Sequence, residues 1–388
     1  MNRIAAGVML AGVCALAISP PAFANRFTVL HAFKYSEQDP ESALTYDGHG
    51  AFYGTTFWGG TGAGTVFRIR PGGKETTIYT FKGESDGANP MAGVAFGPDG
   101  ALYGTTSAGG GSVNCREGCG TIFRLTTQGQ ETVLHAFNGP DGAVPFGAVI
   151  FDSKGNLFGT TTEGGGANGS AGTVYRLGLG HGGKMALLHV FHHDGTDGWA
   201  PRTRLSMDRR GNLYGTTSQG GQYDTGTLFK VTPEGLESIV YAFRDQADGG
   251  WPQSDLFIDE KGNLYGKTEF GGALDLGTVF RITPSGVETV LHSFAGAPGD
   301  GMYPVGGVIA DDAGNLYGTT TTNGGGGYGN VYRLAPDGTL KLLHNFVGTD
   351  GSRPRQTLAA DGLGNLYGTT PEGGMDVNCC GTVFRVHQ

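Results

Sequence analysis

Three arginines, a glutamine and an aspartate are the residues of this chain best equipped to hold a ligand: Arg202, Arg204, Gln253, Asp255 and Arg355. Guanidinium forks match carboxylates, and the amide and carboxylate groups add directed hydrogen bonds. Trp199, Trp251 and Tyr303 lie close to them along the chain. Such rings offer a flat apolar face and a polar tip, suited to stacking on a sugar or a peptide. Lys267 is a further irregular cation, because it stands where the same motif elsewhere has threonine. Trp58, the acids Glu163, Asp224, Asp275, Glu372 and Asp376, and the pair His192-His193 also depart from the pattern. The first expectation is a binding module for an acidic glycan or a peptide, with arginine neutralising a uronate-like carboxylate. The second is an enzyme, a polysaccharide lyase or a lactonase-like hydrolase, with His192 or Tyr303 as base. No nucleophile elbow, zinc motif or phosphate loop supports the enzyme reading. The third is a structural or adhesive protein.

These residues are informative because they break a repeat. Phe52-Tyr53-Gly54-Thr55-Thr56 returns at Leu102–Thr106, Leu157–Thr161, Leu213–Thr217, Leu264–Thr268, Leu316–Thr320 and Leu366–Thr370. The period is about fifty residues, in the range of propeller blades. A second element, Gly64-Thr65-Val66-Phe67-Arg68, follows each copy after a Gly-Gly segment and closes the chain as Gly381–Arg385. A third reads Thr28-Val29-Leu30-His31-Ala32-Phe33 and recurs up to Lys341–Phe346. An Asp-Gly-x-x-Pro loop follows, as at Asp141 to Pro145, then a short apolar run and an Asp-x-x-Gly-Asn turn such as Asp152 to Asn156. Each unit thus holds four short strands rich in β-branched and aromatic residues, without helical periodicity. Four strands per unit is the blade pattern, so the fold expected is all-β, a seven-bladed β-propeller with four antiparallel strands per blade. A β-solenoid is the runner-up.

The phase of the chain ends supports a closed ring. The chain opens on the third element, Phe27–Phe33, and closes on the second, Gly381–Arg385. The last blade is therefore expected to be closed by the N-terminal strand, joining Arg355–Arg385 to Phe27–Phe33 and leaving no open sheet edge. In such a ring the Asp-Gly-x-x-Pro and Gly-Gly loops share one face around the channel mouth. The residue after each loop proline breaks the repeat: it is apolar in Met91, Phe146 and Val305 and polar in Glu41, Arg202, Gln253 and Arg355.

Repeated residues read as structural. Histidine in five of the seven outer strands (His31, His135, His189, His292, His344), replaced by Tyr79 and Tyr241, is expected to pack rather than catalyse. The turn aspartates lack the dense oxygen spacing of a calcium loop. No metal and no cofactor are expected.

The first residues look like an export signal: Arg3, the apolar run Ile4–Ile18, and Ala22-Phe23-Ala24 before Asn25. The expected division is a signal peptide over 1–24 and a single propeller over 25–388. Cys115, Cys119, Cys379 and Cys380 are candidate disulfide cysteines, within each loop or between the two loops. The formal net charge of -9 argues against general affinity for nucleic acid or anionic lipid. A secreted or periplasmic location in a Gram-negative-type bacterium is expected, with a monomer, no transmembrane segment, and an extracellular glycan or protein as partner.

Gly-Asn-Leu-Tyr-Gly-Thr-Thr, Gly-Gly and Gly-Thr-Val-Phe-Arg together resemble the bacterial Gloeo/Verruco (GloVer) tandem repeat. The resemblance runs through the chain from Asn25 to Gln388. It implies export and a repeat fold, and it implies no chemistry for any residue. Many such proteins carry a C-terminal sorting segment, and none is expected here after Gln388. The Gly-Asn-Leu-Tyr turn is similar to NHL-type propeller repeats in fold alone.

Overall fold

The structure is a computed structural model describing residues 27–35, 39–166, 171–180, 183–296, 299–323, 327–375 and 379–388. The export-signal segment and Asp376 lie outside the described residues. The fold is an all-β, seven-bladed propeller. Blade one runs Thr45–Tyr46, Phe52–Thr56, Thr65–Ile69 and Glu75–Thr80, hydrogen-bonded in that order. Strands a to d below are these four and their counterparts, counted outward from the axis. Blades two to six repeat the order, with b strands Leu102–Thr106, Asn156–Thr161, Leu213–Gly220, Leu264–Thr268 and Leu316–Thr320.

Blade seven is composite. Ala359–Ala360, Asn365–Thr370 and Thr382–His387 are joined on the outside by Phe27–Ala32. Phe27 is opposite Val386 and Ala32 opposite Thr382, in antiparallel register. The expected closure is therefore present, and it converts two free edges into one ladder.

The core lies between blades. Each d strand is followed directly by a phenylalanine whose ring meets an aromatic ring in the c strand of the next blade. The pairs are Phe33–Phe67, Phe81–Phe123, Phe137–Tyr175, Phe191–Phe229, Phe243–Phe280, Phe294–Tyr332 and Phe346–Phe384, with centroids 5.1–5.5 Å apart. All fourteen rings are essentially inaccessible to solvent. Burying one such ring is worth about 2–3 kcal/mol, and a paired arrangement adds about 0.5–1.5 kcal/mol. The same pair explains the central glycine of the b strand. A Cβ on Gly54 would lie 2.7 Å from the Phe67 ring, and one on Gly104 2.6 Å from the Phe123 ring. The strand tolerates the entropic cost of glycine because the ring needs that space.

Paired hydroxyls tie the b and c strands in six of the seven blades. Thr56 and Thr65, and their counterparts down to Thr370 and Thr382, form buried hydroxyl pairs 2.8–2.9 Å apart in six blades. Blade six has Thr320 and Asn330 at those positions.

Candidate functional site

The inner end of each blade is set by one backbone device. Asp39, Asn89, Val144, Ala200, Trp251, Tyr303 and Arg353, the residues just before the seven loop prolines, have φ between 55° and 61°. A non-glycine residue in the left-handed region costs about 1–3 kcal/mol and persists only where its surroundings hold it. Hydrogen bonds supply that hold. The Trp251 N–H donates to the Thr225 carbonyl of the preceding blade, and the Glu269 N–H donates to the Trp251 carbonyl. Asn89, Val144 and Tyr303 are held in the same way. The following proline packs on a glycine of the preceding blade, as Pro252 does on Gly226. This turn swings the residue after proline toward the axis.

All seven of those residues meet there. Glu41, Met91, Phe146, Arg202, Gln253, Val305 and Arg355 line one cavity of about 220 Å³, together with Arg204, Asp255 and Thr357. The lining is two-sided around the ring. Met91 and Phe146 form an apolar arc. Gln253, Arg355, Glu41 and Arg202 form the polar remainder, interrupted by Val305. Arg202 lies over the Phe146 ring, 5.3 Å from its centre.

The charged groups divide into tied and available ones. Asp255 is tied: it accepts from the Arg204 N–H (2.9 Å) and the Thr357 hydroxyl (2.9 Å), and that hydroxyl accepts from the Gly307 N–H (2.7 Å). The Arg204 guanidinium stands 3.9 Å from the same carboxylate. This network binds blades four to seven across the channel. Gln253 donates to Glu269 (2.7 Å). Burial raises Glu269 above the usual carboxylate range, against the pull of Arg355 and Arg202. Burial also raises Glu41; Arg355 opposes this, and Asp39 and Glu372 reinforce it. Arg202 and Arg355 thus lie within electrostatic reach of acids, while neither forms an ion pair among the described residues. Glu372 is paired with Arg353 (2.9 Å).

The aromatic candidates stand outside this cavity. Trp251 meets Phe270 edge to face at 5.8 Å, and Phe270 meets Tyr303 at 5.5 Å, making a half-buried aromatic ladder on the loops of blades five and six. Trp199 packs against His193 (4.4 Å) on a short extra strand, Gly198–Pro201, where it pairs with Gln219. Neither His192 nor Tyr303, the bases expected for a lyase, lines the cavity.

Lys267 is not at the mouth. It is fully buried, and its Nζ donates to the carbonyls of Val305 (2.8 Å) and Thr319 (3.1 Å) in blade six. The equivalent threonines reach the next blade from a shorter stem, as Thr55 does to Ala92 and Thr369 to Ser42. Burial pulls the Lys267 amine down to about 7, with nearby Asp255 opposing. Asp224 and Asp275 cap their own loops, accepting from the N–H groups of Gly220 and Gly271. Cys115 is bonded to Cys119, and Cys379 to Cys380.

The repeated histidines have a partner that sequence reasoning missed. His135, His189, His292 and His344 each donate through Nε2 to the aspartate of the following Asp-Gly-x-x-Pro loop: Asp141, Asp197, Asp300 and Asp350. Tyr79 and Tyr241 do the same to Asp86 and Asp248. The available signal was an aspartate standing 6 to 8 positions after each of these histidines and tyrosines.

The Gloeobacter/Verrucomicrobia repeat matches residues 18–193, 114–312 and 289–388, an overlapping run along nearly all of the sequence. The chain belongs to that repeat family. Among solved structures, this repeat protein is similar to two chains from B. thetaiotaomicron. One is the extracellular domain of BT3049, described as a hybrid two component system (12% identity, TM-score 0.58, covering 93% of this chain and 41% of that one). The other is the extracellular domain of BT4673, described as a one component system (13% identity, TM-score 0.58, covering 92% and 39%). This chain spans about two fifths of the length of each. At this identity the likeness concerns the fold. No curated protein matches the chain.

Proposed function

We propose that this repeat protein is an exported binding module that takes the acidic end of a glycan, or an acidic peptide side chain, into the channel mouth. The observation that carries the reading is the convergence of Arg202 and Arg355 on one cavity, without an ion pair of their own among the described residues. Pockets that bind small groups combine an apolar wall with a few directed polar groups. Here Met91 and Phe146 would supply the wall, Gln253 the hydrogen bonding, and the two guanidiniums the carboxylate contacts. A cavity of about 220 Å³ suits a single sugar unit or one side chain, so a longer ligand would lie outward along the Trp251–Phe270–Tyr303 ladder. Export is supported by the Ile4–Ile18 apolar run and by the bonded cysteine pairs. Among the described residues no helix is long and apolar enough to cross a membrane.

Calorimetric titration with oligogalacturonate, a neutral glycan of equal length and an acidic peptide tests the reading. Oligogalacturonate or the peptide is expected to bind, and the neutral glycan is not. The Arg202→Ala, Arg355→Ala double variant is expected to lose most of the affinity, since each charge-assisted contact is worth about 1.5–3 kcal/mol. Unchanged affinity in that variant would overturn the proposal.

A further inference from the structure

The seams between outer strands carry a second, unrelated constellation. Each d strand begins at a position paired with the end of the c strand. Phe27, Glu75, Glu131, Met185, Glu237, Glu288 and Leu340 occupy it, opposite Val386, Ile69, Leu125, Leu177, Val231, Ile282 and Leu334. At several seams the side chain there lies near the His–Asp or Tyr–Asp pair of the preceding blade. Phe27 stacks on His344 at 3.4 Å, and Glu131 and Glu288 lie within electrostatic reach of Asp86 and Asp248.

At the seam of blades three and four the combination is distinct. His189, Asp197 and Glu237 place one imidazole nitrogen and two carboxylate oxygens within 4.8 Å of one another. It is the one such trio among the described residues. The other histidine seams described in full have Met185, Leu340 or Phe27 at the glutamate position, and the seams of Glu131 and Glu288 have tyrosine in place of histidine.

Three details point to an ion rather than to packing. Asp197 is fixed by N–H groups of His192 (3.1 Å) and Gly198 (2.8 Å), so its carboxylate is already oriented. Oε1 of Glu237 is buried and lacks a hydrogen-bond partner, as Oε1 of Glu131 and of Glu288 also does, but among the described residues only Glu237 has an imidazole nitrogen and a second carboxylate within 4.8 Å. The side chains of His189 and Asp197 keep 18% and 10% of their surface open, enough for an ion to enter. One imidazole and two carboxylates form a mixed nitrogen and oxygen set, which suits zinc and its neighbours better than the all-oxygen sets of calcium or magnesium.

We propose that His189, Asp197 and Glu237 form a divalent transition-metal site that pins blade three to blade four. The ion takes the His189 nitrogen and one oxygen from each carboxylate, and water completes the shell. It takes the place of the Nε2 proton that His189 donates to Asp197, and the metal-bound imidazole keeps one proton, on Nδ1. The site lies on the outer strands and is independent of the channel mouth.

Co2+ serves as the probe, because bound cobalt absorbs visibly, with Zn2+ as competitor. The full chain is expected to bind one Co2+, to show its visible bands, and to yield it to Zn2+. Glu237→Gln, which keeps the shape of the side chain, is expected to weaken binding by more than about tenfold, a loss that even outer-shell changes can cause. His189→Ala is expected to remove the bands. Glu131→Gln, at a tyrosine seam, is expected to bind as the parent does. The proposal is overturned if the parent takes up no Co2+ or Zn2+ at millimolar metal. It is overturned equally if Glu237→Gln, shown to be folded by circular dichroism, binds with unchanged affinity.

Discussion

Lys267 shows how one substitution within a repeat acquires its own physics. Threonine at this position spans to the next blade with a short hydroxyl. Lysine reaches further, to two carbonyls, but must bury an amine. Desolvation disfavours the charged form, which is why the amine falls to about 7 from its ordinary 10.5. The sign of the stability effect follows. In the unfolded chain the amine stays protonated up to its ordinary value, so between the two values the unfolded state binds more protons and stability rises with pH. The contribution is present above 10.5 and is lost as pH falls toward 7. Thermal unfolding of the parent and Lys267→Met across pH 6 to 10 is expected to show the parent gaining on the variant as pH rises. A constant difference across that range would refute the neutral amine. The same residue scale separates Asp255 from Arg202 and Arg355. Asp255 spends both oxygens on blades four and seven, while among the described residues the two arginines form no ion pair.

At the scale of the element, the turn before each proline decides what faces the channel. Its left-handed residue is held by the preceding blade, and the proline sits on a glycine there. Gly226 has φ of 98°, and a Cβ on it would stand 2.6 Å from Pro252 and 2.5 Å from the Thr217 carbonyl. Gly226→Ala therefore combines backbone strain with overpacking, each about 1–3 kcal/mol. Chemical denaturation is expected to show that loss, whereas Gly72→Ala, with open space at its Cβ, stays within about 0.5 kcal/mol. Because Trp251 and Gln253 flank Pro252, the same variant is also expected to weaken ligand binding. Equal stability of the two alanine variants would show that the proline contact does not hold the turn.

At the scale of the molecule, closure is the organising fact. Phe27–Ala32 pairs with Thr382–His387, and its flanking rings extend the aromatic chain on both sides. Phe27 packs on His344, Phe346 and Phe384, and Phe33 on Phe67. Repeat arrays gain stability from each interface between neighbours. Deleting residues 27–33 removes a strand and two such interfaces and exposes the edge of Thr382–His387. The truncated chain is expected to unfold at lower temperature in a broader transition and to self-associate during size-exclusion chromatography. A monomer with unchanged unfolding would show that closure contributes little.

The sequence by itself determined the blade count, the strand order and the closing strand. Those follow from local periodicity and from the phase of two chain ends, and both are one-dimensional properties. It also marked Arg202, Gln253 and Arg355 as irregular, because a repeat makes its own exceptions visible. What it left undecided were contacts between residues far apart along the chain. Lys267 looked like a mouth residue and is buried in a seam, since a strand pattern does not tell which face of a blade meets its neighbour. The histidines looked like packing and also donate to loop aspartates. Asp255 looked available and is tied to Thr357, a partner 102 positions away. His189, Asp197 and Glu237 come from three different elements, and only the packing of blade three on blade four brings them together. Periodicity is set along the chain, whereas seams depend on the angle and distance between blades, and only the tertiary structure supplies those.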